Sequence, residues 1–139
     1  MLVSPKNKKK KTAPLADTVP VVFVVDDDEL YLAGLGFYLK QNTDYKVYCY
    51  TNASECLQNL NLNPRLIVLD YYLSNRWMNG IDLLKRIKDL NSGINIVMLS
   101  GQETLQVATE SLRLGAYTYM IKDGQAWHSI KRIAEDLGS

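Results

Sequence analysis

The segment VVFVVDDDE, residues 21–29, joins five consecutive apolar residues directly to four acidic ones. The apolar run is typical of a strand that is covered by helices on both faces of a parallel sheet. Carboxylates clustered at the end of such a strand repel one another unless a cation or a cationic side chain lies among them. The segment therefore predicts a buried strand that opens into a charged site.

Three further strand-like runs also deliver a reactive side chain. Residues 66–69 stop at Asp70, residues 94–99 stop at Ser100, and residues 117–121 lead to Lys122. In a parallel α/β sheet, ligands bind outside the carboxyl ends of the strands. We therefore expect carboxylates, a hydroxyl and an ammonium group to meet at one edge of the sheet and to form the functional site there.

Strand-like runs and helical patterns alternate along the chain. Five such repeats predict an α/β domain, a doubly wound five-stranded parallel sheet with five helices and right-handed crossovers. Residues 45–50 mix polar and apolar side chains, which suits an edge strand. The predicted strands are 21–25, 45–49, 65–69, 94–99 and 117–121, and the predicted helices are 29–41, 53–60, 80–90, 103–114 and 125–137.

The composition is that of one globular domain. A chain of 139 residues with 47% hydrophobic and 22% charged residues can bury a core without metal or disulfide staples. No stretch reaches the length of a membrane-spanning helix, and no apolar run follows the N-terminal lysines as a secretory signal would require. We therefore predict a cytoplasmic protein whose two cysteines, Cys49 and Cys56, are buried free thiols.

Residues 1–20 differ from the rest of the chain. They hold five of the 16 basic residues and one of the 15 acidic residues, without an amphipathic period. This composition is typical of a disordered segment, so we predict a basic tail over 1–20 and a folded domain over 21–139. Lysine clusters can bind polyanions, but no arginine or aromatic residue accompanies this one, which favours a solvated extension.

The reactive side chains at the strand ends predict phosphoryl transfer. Asp70 stands alone after a central strand and suits a nucleophile, whereas Asp26 and Asp27 supply charge for a hard cation such as Mg²⁺. The cation would offset the carboxylate repulsion and let an anionic phosphoryl group approach. Lys122 and Ser100 can bind phosphoryl oxygens, as a point charge and as a hydrogen-bond donor. The product would be an aspartyl phosphate at Asp70.

Taken in order, these elements resemble the receiver domain of two-component response regulators over residues 20–137. Each motif is weak alone, but the set is specific at the family's spacing. The resemblance implies a flavodoxin-like fold with strand order 2-1-3-4-5. The motifs that match are Val25-Asp26-Asp27, Ile67-Val68-Leu69-Asp70, Leu99-Ser100-Gly101, Leu112-Arg113-Leu114-Gly115-Ala116 and Tyr119-Met120-Ile121-Lys122.

The resemblance also implies a signalling role rather than an enzyme. A histidine kinase, a histidine phosphotransfer protein or a small phosphodonor would phosphorylate Asp70, and the domain would help to hydrolyse its own aspartyl phosphate. Asp27, Asp70 and the backbone carbonyl of Tyr72 would ligate Mg²⁺, with Asp26 acting largely through water.

The implied output is a conformational switch. Ser100 would move toward the phosphoryl group and let Tyr119 turn inward, which would remodel the face made by the fourth helix, fifth strand and fifth helix. That face would bind a downstream protein as a monomer or as a phosphorylation-dependent dimer, with no contact to nucleic acid and no membrane insertion. Tyr72 and Gln102 would flank the path of the attacking water, and a bulky Tyr72 would slow hydrolysis.

Two positions depart from the family pattern. Family members usually have Met-Pro shortly after the phosphoacceptor and a glycine eight residues after it, whereas here Leu73-Ser74 replaces the pair and Gly80 comes ten residues after. The loop that carries Trp77 is therefore two residues longer. Lys122-Asp123 replaces the usual Lys-Pro, so we expect a trans peptide bond there, or a strained loop.

Three other functions are weighed against this one. A dehalogenase-like phosphatase would use Asp26 as nucleophile within Asp26-x-Asp28, but it needs a further acidic motif after the lysine and leaves Asp70 unexplained. A pseudo-receiver would be an interaction module that accepts no phosphate, which the complete set of site residues disfavours. A nucleotide- or flavin-binding flavodoxin relative would place phosphate beside an acidic loop that repels it.

Several other residues have structural interpretations. Asp28 and Glu29 suit the first turn of a helix, where the macrodipole favours acids. His128 lies in the last helix with no second metal ligand in view. Gly34 and Gly36 inside the first helix cost helix propensity, which favours close packing at those positions.

Overall fold

The computed structural model describes residues 19–73, 78–102 and 104–138. Five strands alternate with five helices in these segments, and a short 3-10 helix (Leu60–Leu62) follows the second helix. The strands are β1 (Val21–Val25), β2 (Lys46–Tyr50), β3 (Leu66–Asp70), β4 (Asn95–Ser100) and β5 (Thr118–Ile121). The helices are α1 (Glu29–Asn42), α2 (Ala53–Gln58), α3 (Gly80–Leu90), α4 (Leu105–Arg113) and α5 (Ala126–Gly138).

Two of the predicted features lie outside the described residues. They are the loop position of Trp77 and the basic tail, of which only Val19 and Pro20 are described. Within the described segments, no helix combines the length and the apolar character that crossing a membrane requires.

The strands form one parallel sheet in the order β2-β1-β3-β4-β5, which confirms the predicted topology. β1, β3 and β4 lie in the middle and are almost wholly buried, as their continuous apolar runs predict. β2 lies at one edge and is only partly buried, in agreement with its mixed polarity.

Several element boundaries differ from the prediction by one or two residues. β3 and β4 each extend one residue further than predicted, because Asp70 and Ser100 still pair with the neighbouring strand. α4 begins at Leu105 rather than at residue 103, because the Thr104 side chain accepts a hydrogen bond from the backbone N–H of Val107 and caps the helix.

The pleat sends alternate residues of each strand to opposite sides of the sheet. Phe23 and Val25 of β1 join a core cluster with residues of α2 and α3, whereas Val22 and Val24 join a cluster with residues of α1 and α5. β3 and β4 alternate in the same way. A residue at the end of a strand therefore faces the same side of the sheet as the core residue two positions before it.

The two glycines of α1 lie where neighbours approach closely, which confirms the packing interpretation. A Cβ atom at Gly34 would lie 2.8 Å from the indole ring of Trp127, and one at Gly36 would lie 2.6 Å from Sγ of Cys49. Both cysteines are free thiols, and Cys56 is buried. The prediction that Cys49 is also buried was wrong, because it lies on the edge strand β2 and is exposed.

The start of α3 packs against the backbone at the end of β3. A Cβ atom at Gly80 would contact the carbonyl oxygen of Asp70 and lie 2.6 Å from that of Tyr71. Asn79 caps the helix through a reciprocal pair of hydrogen bonds with Asp82. The start of α3 therefore lies close to the backbone of Asp70.

Candidate functional site

The register of the sheet brings the predicted site residues to one edge. Val25 pairs with Leu69, so Asp26 leaves β1 at the level at which Asp70 ends β3. Ser100 ends β4 and pairs with Ile121, the residue before Lys122. The strand ends predicted to form the site are therefore neighbours in the structure.

Three carboxylates meet at this edge. One carboxylate oxygen from each of Asp26, Asp27 and Asp70 lies within 4.8 Å of the other two. Asp26 and Asp70 are buried, with 1% and 4% exposure, and Asp27 is less buried. The backbone N–H of Asp28 donates to Oδ1 of Asp26 at 2.9 Å, and that of Tyr72 donates to Oδ1 of Asp70 at 3.3 Å.

The ammonium group of Lys122 lies among the carboxylates. Its Nζ is 2.8 Å from Oδ2 of Asp26 and 3.5 Å from Oδ1 of Asp70. Oδ2 of Asp26 is buried, and the short contact with Lys122 pairs its charge with that of the ammonium group. No peptide bond in the described segments is cis, which confirms the trans bond expected between Lys122 and Asp123.

Ser100 and Tyr119 form a separate, hydroxyl part of the site. Ser100 Oγ donates to the backbone carbonyl of Gln102 at 2.9 Å and accepts from its N–H at 3.1 Å. The Tyr119 hydroxyl donates to the same carbonyl at 2.7 Å. The sequence points to the Gln102 side chain but not to this shared acceptor, because residue type does not indicate which groups a backbone carbonyl will bind.

The pleat explains why the site has two parts. Asp26, Asp70 and Lys122 each lie two residues after members of the α1/α5 cluster or its packed neighbours, namely Val24, Val68 and Met120. Ser100 lies two residues after Met98, which belongs to the α2/α3 cluster, and Tyr119 packs against the same cluster. The charged groups therefore face α1 and α5, and the hydroxyl groups face the other side.

Other predicted residues fall near the site or away from it. Tyr72 is 48% exposed, and its ring packs edge-on against that of Tyr71 with 4.8 Å between centroids. Asp28 is the N-cap of α1 rather than a first-turn residue, because its Oδ1 accepts from the N–H groups of Leu30 and Tyr31. His128 is exposed on α5 and belongs to no cluster of candidate ligands among the described residues.

The electrostatics of the site favour an added cation. Burial and the nearby Asp26 carboxylate raise the pKa of Asp70 from 3.8 to about 6, and Lys122 and the Tyr72 N–H offset only part of that rise. Burial lowers the pKa of Lys122, but the contacts with Asp26 and Asp70 outweigh burial and raise it overall. The Lys122 ammonium group thus offsets only part of the effect that burial and Asp26 have on the pKa of Asp70.

The donor set fits a hard divalent cation. The three side chains offer carboxylate oxygens, the ligands that Mg²⁺ prefers. Asp26, Asp27 and Asp70 could therefore hold Mg²⁺ at the mouth of the site.

The strand order and the acidic strand ends define a flavodoxin-like domain of the CheY-like class. Residues 22–134 match the response regulator receiver domain family. The chain belongs to this family, whose members receive a phosphoryl group from histidine kinases.

Individual relatives agree with this assignment. The response regulator protein TodT of Pseudomonas putida is 27% identical over 109 residues, which cover 78% of this chain and 47% of TodT. A CheY-like receiver domain from Methanospirillum hungatei superposes with a TM-score of 0.76 at 28% identity, covering 86% of this chain and 94% of that one. The receiver domain of NtrX from Brucella abortus has a TM-score of 0.76 at 26% identity, with 84% and 96% covered. The chain spans about half the length of TodT.

The raised pKa of Asp70 predicts a pH-dependent gain in stability for Asp70→Asn. The contribution of the protonated carboxyl group to wild-type stability is complete below its ordinary pKa of 3.8 and is lost as pH rises through about 6. Asparagine does not ionise, so the free energy of unfolding of the variant relative to wild type should grow by about 1–3 kcal/mol between about pH 4 and pH 7. Urea denaturation in EDTA measures it.

Leu69→Val is the matched control, because it alters the same buried strand without removing a titratable group. Its loss of stability should be the same at both pH values. If the free energy of unfolding of Asp70→Asn relative to wild type were also the same at both pH values, the raised pKa of Asp70 would be contradicted.

Proposed function

We propose that this receiver domain accepts a phosphoryl group on Asp70 with the help of Mg²⁺. The observation that carries the proposal is the cluster of Asp27 with the buried Asp26 and Asp70, in which Lys122 Nζ contacts Asp26 and Asp70. Such a group combines a nucleophile, a cation site and a fixed positive charge at one strand edge.

Asp26, Asp27 and Asp70 would hold the cation, together with the backbone carbonyl of Tyr72 that the family resemblance implies. Mg²⁺ supplies charge that neutralises the carboxylates and draws phosphoryl oxygens toward them. In the same arrangement, Lys122 is close enough to Asp26 and Asp70 to bind a phosphoryl oxygen as a second positive charge.

The transfer step forms one bond and breaks one. A carboxylate oxygen of Asp70 attacks the phosphorus of a phosphohistidine on a kinase or phosphotransfer protein, or of a small acyl phosphate. The bond from phosphorus to the donor nitrogen or oxygen breaks, and its electron pair leaves with the donor. The aspartyl phosphate is later hydrolysed: water attacks phosphorus, the bond to the Asp70 oxygen breaks, and the carboxylate is restored with release of inorganic phosphate.

The switch proposed for this domain uses Ser100 and Tyr119. Their hydroxyl groups share the Gln102 carbonyl, so a movement of Ser100 toward a phosphoryl group on Asp70 removes one of the two donors from that acceptor. Tyr119 would then change its own position, which would remodel the surface of α4, β5 and α5. That surface would bind a downstream protein, as a monomer or as a phosphorylation-dependent dimer.

The test is intact mass after incubation with Mg²⁺ and acetyl phosphate. Wild type should gain a single phosphoryl group, and EDTA or Asp70→Asn should abolish the gain, because the first removes the cation and the second the nucleophile. Asp28→Asn is the matched control: it makes the same change of charge nearby, and asparagine caps a helix as well as aspartate does.

Two outcomes would contradict the proposal. Loss of modification in Asp28→Asn, with retention in Asp70→Asn, would favour the dehalogenase-like chemistry at Asp26. Wild type that is unmodified, and whose tryptophan fluorescence is unchanged by Mg²⁺ and beryllofluoride, would be a pseudo-receiver.

The position of Tyr72 predicts the lifetime of the modified state. Tyr72 lies two residues after Asp70, and its backbone N–H donates a hydrogen bond to the Asp70 carboxylate. Its side chain is exposed, so we propose that the ring shields the acyl phosphate from water. Tyr72→Ala should lose phosphate several-fold faster than wild type, measured by mass after removal of the phosphodonor. Tyr117→Ala, which removes a tyrosine of the same 48% exposure, should not. Equal decay rates for Tyr72→Ala and wild type would rule out shielding.

A further inference from the structure

Lys122 has a third neighbour besides the two carboxylates. Its Nζ lies over the ring of Tyr31, 4.4 Å from the ring centroid. A cation at this distance from an aromatic face is attracted by the negative charge of the π system. The carboxylates of Asp26 and Asp70 are part of the site already described, but Tyr31 has no role in it.

The local structure of α1 fixes where Tyr31 lies. Oδ1 of Asp28 accepts hydrogen bonds from the N–H groups of Leu30 and Tyr31 and so sets the first turn of the helix. Tyr31 packs against the α1/α5 cluster, as does Met120, which lies two residues before Lys122 on β5. Because the pleat repeats every two residues, Lys122 leaves the strand on the side on which Tyr31 lies.

Neighbouring aromatic rings hold Tyr31 in place. Its ring packs edge-to-face against Trp127 of α5, with 5.9 Å between centroids and 75° between planes. The Trp127 ring also packs against that of Tyr38, about two turns further along α1, with 5.6 Å between centroids. The close approach of Gly34 to the indole leaves no room there for a larger side chain. The ring under Lys122 is therefore supported by packing between α1 and α5.

The aromatic face, and not the hydroxyl group, is the part of Tyr31 that serves the site. The hydroxyl oxygen is buried near the Trp127 side chain and makes no well-aligned hydrogen bond with any residue that the structure describes. Burial raises the pKa of Tyr31, while Trp127 and the charge of Lys122 lower it in part. A phenylalanine would offer the same face to Lys122 without an unsatisfied buried oxygen.

We propose that Tyr31 is a positioning residue, whose ring holds the Lys122 ammonium over the site while that group exchanges Asp26 for the oxygens of an incoming phosphoryl group. The proposal rests on the function proposed above. Attraction to a π face is less directional than a hydrogen bond, so the ammonium group can move across the ring without losing it. Lys122 is only 17% exposed, and the ring covers one of its sides.

The experiment compares wild type, Tyr31→Phe, Tyr31→Leu and Tyr31→Met in two measurements. The first is the rate of phosphorylation by acetyl phosphate with Mg²⁺, followed by intact mass. The second is the proton chemical shift of the Lys122 ε-methylene, assigned with a Lys122→Arg variant, because the current in a nearby ring moves that resonance upfield. Circular dichroism shows that each variant is folded, and Tyr31→Met replaces Tyr31→Leu if the latter is not.

The proposal predicts that the ring alone matters. Without it, phosphorylation should be about 3- to 30-fold slower, which corresponds to the range of cation–π attraction. Tyr31→Phe should phosphorylate within about twofold of wild type, as expected if only the π face contributes. The upfield shift of the lysine should persist in Tyr31→Phe and disappear in Tyr31→Leu and Tyr31→Met.

Three outcomes would overturn the proposal. The first is wild-type phosphorylation in a folded variant without the ring. The second is slowing of Tyr31→Phe as large as that of Tyr31→Leu, which would assign the effect to the hydroxyl group. The third is the absence of an upfield-shifted Lys122 resonance in wild type. If wild type itself is not phosphorylated, the proposed function fails and this proposal fails with it, whereas the first two outcomes leave the proposed function intact.

Discussion

The site depends on the in-register pairing of β1 with β3. Because Val25 lies beside Leu69, Asp26 and Asp70 must leave the sheet side by side in a buried position. Two carboxylates so placed repel each other, and burial adds to the cost of ionising them. The ammonium group of Lys122, delivered by β5 at the far side of β4, offsets part of that cost. The remaining negative charge favours a cation, which would in turn let an anionic phosphoryl group approach.

The pleat of the strands then places different site residues on the two sides of the sheet. Toward α1 and α5 it places the charged groups, with Tyr31 next to Lys122. Toward the other side it places Ser100 and Tyr119, which are joined through the Gln102 carbonyl. On the proposed function, chemistry takes place on the first side and its consequence for partner binding arises on the second. Ser100 links the two, because it ends β4 one residue after Leu99, the residue that pairs with Asp70.

Most of the fold and of the charged part of the site could be predicted from the sequence. Continuous apolar runs indicate buried parallel strands, and the residues that follow them indicate the site, whereas the strand order came from the family resemblance. The boundaries at Asp70 and Ser100 were missed by one residue, because pairing with a neighbour decides where a strand ends. The exposure of Cys49 and the contact of Tyr31 with Lys122 depend on segments that are distant in sequence. No local pattern records such contacts.

Lys122 and the Tyr72 N–H offset only part of the rise in the pKa of Asp70, and we propose that a divalent cation reverses that rise. A carboxyl ¹³C NMR titration of Asp70, with and without Mg²⁺, tests it directly. The account predicts a pKa of about 6 in EDTA, and a fall to well below the ordinary aspartate value when Mg²⁺ is present. An Asp70 that titrates at the ordinary value in EDTA, or whose titration Mg²⁺ does not change, would contradict it.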